Sequence, residues 1–322
     1  MAIAIAIILG LVGIFLLWYG QRVWQVLTSS HPPTGEAAEE IIELPTPRGL
    51  LAPDEVVFLF AEQFVGTVSA EGSAHSTGTT PLSGAPVSLR DQANRLIYAV
   101  LVDQYQQKRL QFRTVPRDPT MMPPFPHKAW ELQVRRSDAL TSSPLLDCLN
   151  VAFNLIYKQR RVSSAAEDSE KLWISLDELL EQMLKVVRAE ISFWKREGVY
   201  GDLCNYVEEA LVARGYLYEL PRNTWLERLR GRELQANRDA IQQHQPAAEE
   251  LHRRLTEFRR TYGSEQIQQM ADDLTKPAEE ANQELSEWGG PLDELPLDDV
   301  VRMSIYEALA CLRQLEPSGG GR

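Results

Sequence analysis

Apolar side chains recur at Leu180, Met183, Leu184, Val187, Ile191 and Trp194, the three-and-four spacing that places them on one face of a helix. The surrounding stretch "ISLDELLEQMLKVVRAEISFWKREG" carries its own start and stop signals. Ser175 and Glu178 have the spacing of a capping box, Ile174 and Leu179 that of a hydrophobic staple, and Gly198 suits a left-handed stop. A second helix is predicted in "SLRDQANRLIYAVLVDQ", with Ser88 as cap, Asp91 in the first turn, and Leu89, Leu96, Ile97, Val100 and Leu101 on its buried side. In "SSPLLDCLNVAFNLIYKQRRV", Ser143 precedes Pro144 as cap and first helical residue, and Leu149, Phe153 and Ile156 form the stripe. A short helix is expected from Pro53, with Asp54 and Glu55 favourable to its dipole, and another in "DLCNYVEEALVARG", capped by Asp202 and ended near Gly215.

The period changes to two after Gln107. Leu110, Phe112 and Thr114 alternate with polar positions, and so do Trp130, Leu132 and Val134, which predicts a hairpin across the Pro-rich "PRDPTMMPPFPHKA". A short strand follows Gly215. From Trp225 to Tyr262 two helices are predicted, broken at Pro246 and ended at Gly263, with Leu226, Leu229, Leu251, Leu255 and Phe258 as their apolar faces. "VVRMSIYEALACLRQL" is a last helix.

The first residues obey neither period. From Ala2 to Tyr19 no charge occurs, and such a run reaches across a bilayer core of about 30 Å. Bulky residues from Gln21 to Trp24 do not suit a cleavage site, so an uncleaved signal anchor is expected, with Trp18, Tyr19, Arg22 and Trp24 in the headgroup layer. Arg22 and Arg48 after the span place the C-terminal bulk on the cytoplasmic side; plasma and internal membranes such as a thylakoid are not distinguished.

The expected fold class is mainly α with short β-hairpins. An N-terminal single transmembrane helix (residues 1–27) leads through a spacer (28–52) into a winged-helix-like helical domain (53–221) containing a mobile loop (66–87). A C-terminal arginine-rich helical hairpin (222–263) and an acidic arm (264–322), with a terminal helix and a disordered end, complete the chain. The winged-helix element rests on a repeated pattern, helix, basic residue, then strand, around Lys108 to Val115 and again Arg214 to Leu220. More broadly, the alternation of helices ending in basic residues with short strands resembles the helical domain of the Golgi phosphoprotein 3 family, a membrane-surface adaptor fold. That likeness covers roughly Pro53 to Leu220, is one of element order, and carries no lipid-binding residue across.

Charge divides the C-terminal part sharply. Every Lys or Arg from Arg214 to Arg260 is an arginine, whereas from Glu265 to Asp299 Lys276 is the only basic residue. Solvated faces with an acidic arm packing back on the arginines account for the pattern. The sharper alternative is a partner or lipid surface made by Arg228, Arg230, Arg232, Arg253, Arg254, Arg259 and Arg260. A formal charge of −12 disfavours general nucleic-acid binding.

No catalytic, metal or nucleotide motif is present. His31, His75, His127, His244 and His252 lack ligand spacing, and Cys148, Cys204 and Cys311, odd in number and widely spaced, read as core residues in a reducing compartment. Trp173, Trp194 and Trp225 read as core or interface anchors. No cofactor is implied. The expected function is that of a single-pass membrane-anchored scaffold, or assembly or regulatory protein, binding partner proteins of a membrane complex, with the bilayer contacted by residues 2–19. A membrane-anchored winged-helix transcription regulator and an enzyme with a dispersed site are the alternatives.

Overall fold

A computed structural model describes residues 47, 49–68, 77–116, 130–162, 172–192, 196–220, 234–263 and 295–315. These form helices α1 (Pro53–Leu59) and α2 (Ala61–Val65), strands β1 (Thr77–Thr79) and β2 (Pro86–Ser88), helix α3 (Leu89–Gln106), and strands β3 (Leu110–Pro116) and β4 (Trp130–Arg136). Helix α4 (Pro144–Val162), strand β5 (Ile174–Ser175), and helices α5 (Leu176–Glu190) and α6 (Gly198–Ala213) follow. Strands β6 (Leu217–Glu219) and β7 (Leu234–Ala236) lead to helices α7 (Arg238–Gln242), α8 (Gln245–Tyr262) and α9 (Leu297–Gln314).

Helix α3 starts where its cap sequence predicts, the Asp91 N–H donating to Ser88 Oγ at 3.3 Å. It is not half-buried, however. Ala93 and every residue from Leu96 to Val102 are inaccessible to solvent, because α1, α4, α6, α8 and α9 all pack around it. The chain leaves α3 through Lys108, a non-glycine at φ +60°, and leaves α6 through Gly215 at φ +81°. In both places a left-handed residue stops the helix and a strand starts two residues later, the physical content of the repeated helix, basic residue and strand pattern.

Ser143 caps α4, accepting from the Leu146 N–H at 3.2 Å, and Asp54 of α1 accepts from the Leu145 N–H at 2.9 Å and the Ser143 hydroxyl at 3.1 Å. A carboxylate from the first helix thus completes the cap of a distant one, and Asp54 is buried, not displayed to solvent. At α5 the predicted capping box does not form. Ser175 pairs as a strand residue with Gln133, and Glu178 instead takes the Arg160 guanidinium at 2.5 Å. The helix stops at Glu190, with Arg196 donating to the Arg188 carbonyl at 2.7 Å, while Gly198, left-handed as expected at φ +87°, opens α6. Asp202 lies inside α6, accepting from the Glu197 N–H at 3.0 Å and Arg188 Nε at 2.7 Å.

The β3–β4 hairpin has the expected faces: Leu110, Trp130, Leu132 and Val134 are buried. Within the stretch read as a loop, β1 and β2 pair from Thr77↔Ser88 to Thr79↔Pro86, and Thr80 and Ser83 both donate to Glu62 of α2 to hold the turn. Strand β5 pairs with β4, and β6 with β7 alone. Among the described residues, the strands flanking α5 and α6 do not form the single sheet that a winged helix would build. In the predicted arginine-rich hairpin, α8 begins with Pro246 in its first turn and ends at Gly263, but Leu234–Ala236 is a strand.

The N-terminal transmembrane helix is corrected. Among the described residues no helix is long and apolar enough to cross a membrane. The long helices α3, α4, α8 and α9 each carry several charges and pack around one core, so none has the composition of a span. The expectation of a single-pass membrane protein is overturned with it. Residues 1–27, including Trp18, Tyr19, Arg22 and Trp24, lie outside the described residues, as do Arg228, Arg230 and Arg232.

Candidate functional site

Helical spacing explains why the arginines of α8 do not make one surface. At 100° per residue Arg253 and Arg260 share a face, while Arg254 and Arg259 are turned elsewhere. Arg253 is exposed and grips its own helix, donating to Glu250 at 2.7 and 2.9 Å and to Glu257 at 3.1 Å. Arg254 ties α8 to α3 through Asp103 at 2.5 Å and Gln106 at 2.9 Å. Arg260 lines an open groove along α8 together with His252 and Thr256. Arg259 is buried.

Arg259 belongs to a charged cluster in the core. Its Nε lies 3.8 Å from Asp298 Oδ2, and Arg302 Nη1 lies 3.8 Å from the same oxygen and 3.7 Å from Asp299 Oδ1. These are ion pairs beyond direct hydrogen-bond distance. Asp298 Oδ1 accepts a short bond, 2.5 Å, from the Tyr98 hydroxyl, and the Arg95 guanidinium lies over the Tyr98 ring. Burial pushes the Arg95 guanidinium down to about 10, helped by Arg302, and pushes the Tyr98 hydroxyl well above its ordinary value, helped by Asp298. Asp298 and Asp299, at the end of the acidic stretch, therefore join it to the arginines inside the fold, linking α3, α8 and α9.

A different arrangement occurs on the outer face of the β3–β4–β5 sheet. The Arg113 and Arg135 guanidinium groups lie over the Trp173 ring, 4.5 and 4.8 Å from its centroid. Strand alternation puts both on the side opposite buried Leu132 and Val134, and β5 pairing brings Trp173 beside them. Arg113 Nε donates to Gln133 at 2.9 Å and Arg135 donates to Gln111. The next residue, Arg136, donates to Asn150 at 3.1 Å and Asn154 at 2.9 Å of α4, near the rings of Phe153 and Tyr157. The outer side of α4 exposes Val151 (43 %) and Leu155 (36 %), and Leu172 (41 %), whose carbonyl accepts from Tyr157, is exposed as well.

The sequence reading singled out Trp173 as a core or interface anchor but passed over Arg113, Arg135 and Arg136. The available signal was alternation: in a hairpin that buries Leu132 and Val134, Gln111, Arg113, Gln133 and Arg135 must share the opposite face.

The thiols are poor nucleophile candidates. Burial pushes Cys148 up to about 11 and Cys204 further, and Cys311 is buried too. His244 shares a 2.9 Å hydrogen bond with the Tyr216 hydroxyl, and His252 packs on Phe64; burial lowers the pKa of both. Among the described residues no group of three His, Cys, Asp or Glu is placed to hold a metal ion. Comparison with protein-family models, curated proteins and solved structures finds no match to this chain, so the winged-helix and Golgi phosphoprotein 3 likenesses gain no support there.

Proposed function

We propose that the chain is a scaffold or an assembly or regulatory protein that works by binding partner proteins, and that the sheet face centred on Trp173 is the contact site. One observation carries this reading: on the outward face of the β3–β4–β5 sheet the Trp173 ring carries the guanidinium groups of both Arg113 and Arg135. Trp, Tyr and Arg dominate the energetics of protein interfaces, because they desolvate large areas while presenting oriented polar groups. On α8, Arg253 is taken up by Glu250 and Glu257 of its own helix and Arg254 by Asp103 and Gln106 of α3. Helix α6, the element a transcription regulator would lay in a DNA groove, carries Glu208 and Glu209, which disfavours that alternative.

Photo-crosslinking tests the reading. Benzoylphenylalanine replacing Val115, which strand alternation puts on the same face as Arg113 and Arg135, in cells that make the protein should give a discrete protein adduct, lost when Trp173→Ala is added. The same probe at Glu257 on α8 should give none. No adduct at 115, or an adduct indifferent to Trp173, would sink the proposal.

A further inference from the structure

Independently of the Trp173 face, we infer that Gly49–Ala52, the backbone segment ahead of α1, is a pH-sensitive strap that neutral His244 helps to hold closed and that loosens when this imidazole takes up a proton. Three side chains fasten the segment. The Tyr216 hydroxyl donates to the Gly49 carbonyl at 2.7 Å, Arg214 Nη2 donates to the Leu50 carbonyl at 2.7 Å, and Glu55 Oε2 accepts from the Ala52 N–H at 2.8 Å. Arg214 Nη1 also grips the Glu55 carboxylate, and the guanidinium lies 5.5 Å from the centre of the Tyr216 ring. Gly49 permits this close approach: it is left-handed at φ +80°, and a Cβ there would lie 3.1 Å from Arg214 Nη2. Little else covers the segment at Leu50, which is 86 % exposed.

Proton positions tie His244 to the strap. Tyr216 has one hydroxyl proton and the Gly49 carbonyl can only accept, so that proton lies between them. His244 Nε2, 2.9 Å from the same hydroxyl oxygen, must therefore be the N–H donor, which leaves Nδ1 bare. A second proton would add to Nδ1 and make the ring a cation. That cation would face the Arg214 guanidinium and the positive end of α8, of which His244 is itself the N-cap residue. Glu55 opposes this, but its carboxylate is already bonded to Arg214 and to the Ala52 N–H. Burial lowers the His244 pKa below its ordinary 6.5, Arg214 adds to the shift and Glu55 counters it. The strapped state thus binds this proton less tightly than a released one. Its contribution is complete above pH 6.5 and is lost as the pH falls below that value. Asp54, whose carboxyl burial pushes up, titrates in the opposite direction, so acid loosens the strap locally without unfolding the core.

Limited proteolysis of the full chain tests the strap. Thermolysin cuts ahead of leucine, so cleavage at Leu50 and Leu51 is read by mass spectrometry and divided by the rate for a free peptide of residues 47–54. Between about pH 7.5 and about pH 5.5, a range that spans imidazole titration, the normalised rate should rise several-fold. His244→Gln keeps a donor without a titrating ring and should show no rise, and His244→Asn repeats the check should that variant melt early. Tyr216→Phe, which removes both hydrogen bonds, should be cut fast at both pH values. Imidazole resonances of His244, assigned by NMR with these variants, should titrate below pH 6.5. Thermal melts at each pH separate a loosened strap from lost fold. An equal rise in His244→Gln, no rise in the native protein, slow cleavage of Tyr216→Phe, or His244 titrating at 6.5 or above would each overturn the strap.

Discussion

Arginine does opposite work in two regions of this molecule. In the core, Arg259 and Arg302 face Asp298 and Asp299 and hold α8 and α9 on the central helix. On the sheet face, Arg113 and Arg135 face the amide oxygens of Gln133 and Gln111 and the ring of Trp173. Charges taken out of water must find counter-charges, whereas charges left at the surface can be held ready by neutral groups. Neighbours, not the density of arginine along the chain, decide which contribute to stability and which are available for recognition.

The largest effect expected from this contrast is in the core. Asp298→Ala strands Arg259 and Arg302 with too little counter-charge and removes the acceptor of Tyr98, and should cost about 3 to 5 kcal/mol in urea unfolding. A loss below about 1 kcal/mol would show that the cluster is not the link described here.

Asp54 gives the next effect, and it depends on pH. Burial pushes its carboxyl up to about 6, above its unfolded value near 3.8. The folded state therefore binds this proton more tightly than the unfolded state. The contribution is complete below pH about 4 and is lost as pH rises through 6, amounting to about 2 to 3 kcal/mol. Relative to Asp54→Asn, the native protein should gain stability as pH falls from 7 to 4. The opposite slope would mean that hydrogen bonds from Leu145 and Ser143 outweigh burial.

On the exposed side, Arg135→Gln should change unfolding stability by no more than about 0.5 kcal/mol, because its partners can turn to water. Smallest of all, Cys148, Cys204 and Cys311 should stay unreactive toward a thiol reagent at pH 8 until denaturant is added. Rapid native labelling would reveal an opening that the packed core does not show.

What was legible in the sequence was local. Ser88 and Ser143 cap their helices because a cap needs only the next few residues, and the β3–β4 alternation shows directly in Leu110, Trp130, Leu132 and Val134. The α5 cap failed because Ser175 has a strand partner and Glu178 a more distant arginine, neither visible within a helical window. Helix α3 read as amphipathic because its buried polar residues, such as Gln104 bonded to Thr141, look solvent-facing until the surrounding helices are in place. Asp298 and Asp299 also look solvent-facing along the chain and are buried only once α8 and α9 are packed. The candidate face was half legible: alternation groups Arg113 with Arg135, but Trp173 joins them only through a two-residue strand far along the chain.

One paired measurement tests the contrast most directly: unfolding stability and the yield of the photo-adduct from position 115, each for Arg259→Met and Arg135→Gln. The account predicts a crossed result. Arg259→Met loses about 2 kcal/mol or more of stability and keeps its adduct under folding conditions, while Arg135→Gln keeps its stability and loses adduct. If both substitutions change the same quantity, the two sets of arginines are not doing different work, and the account is contradicted.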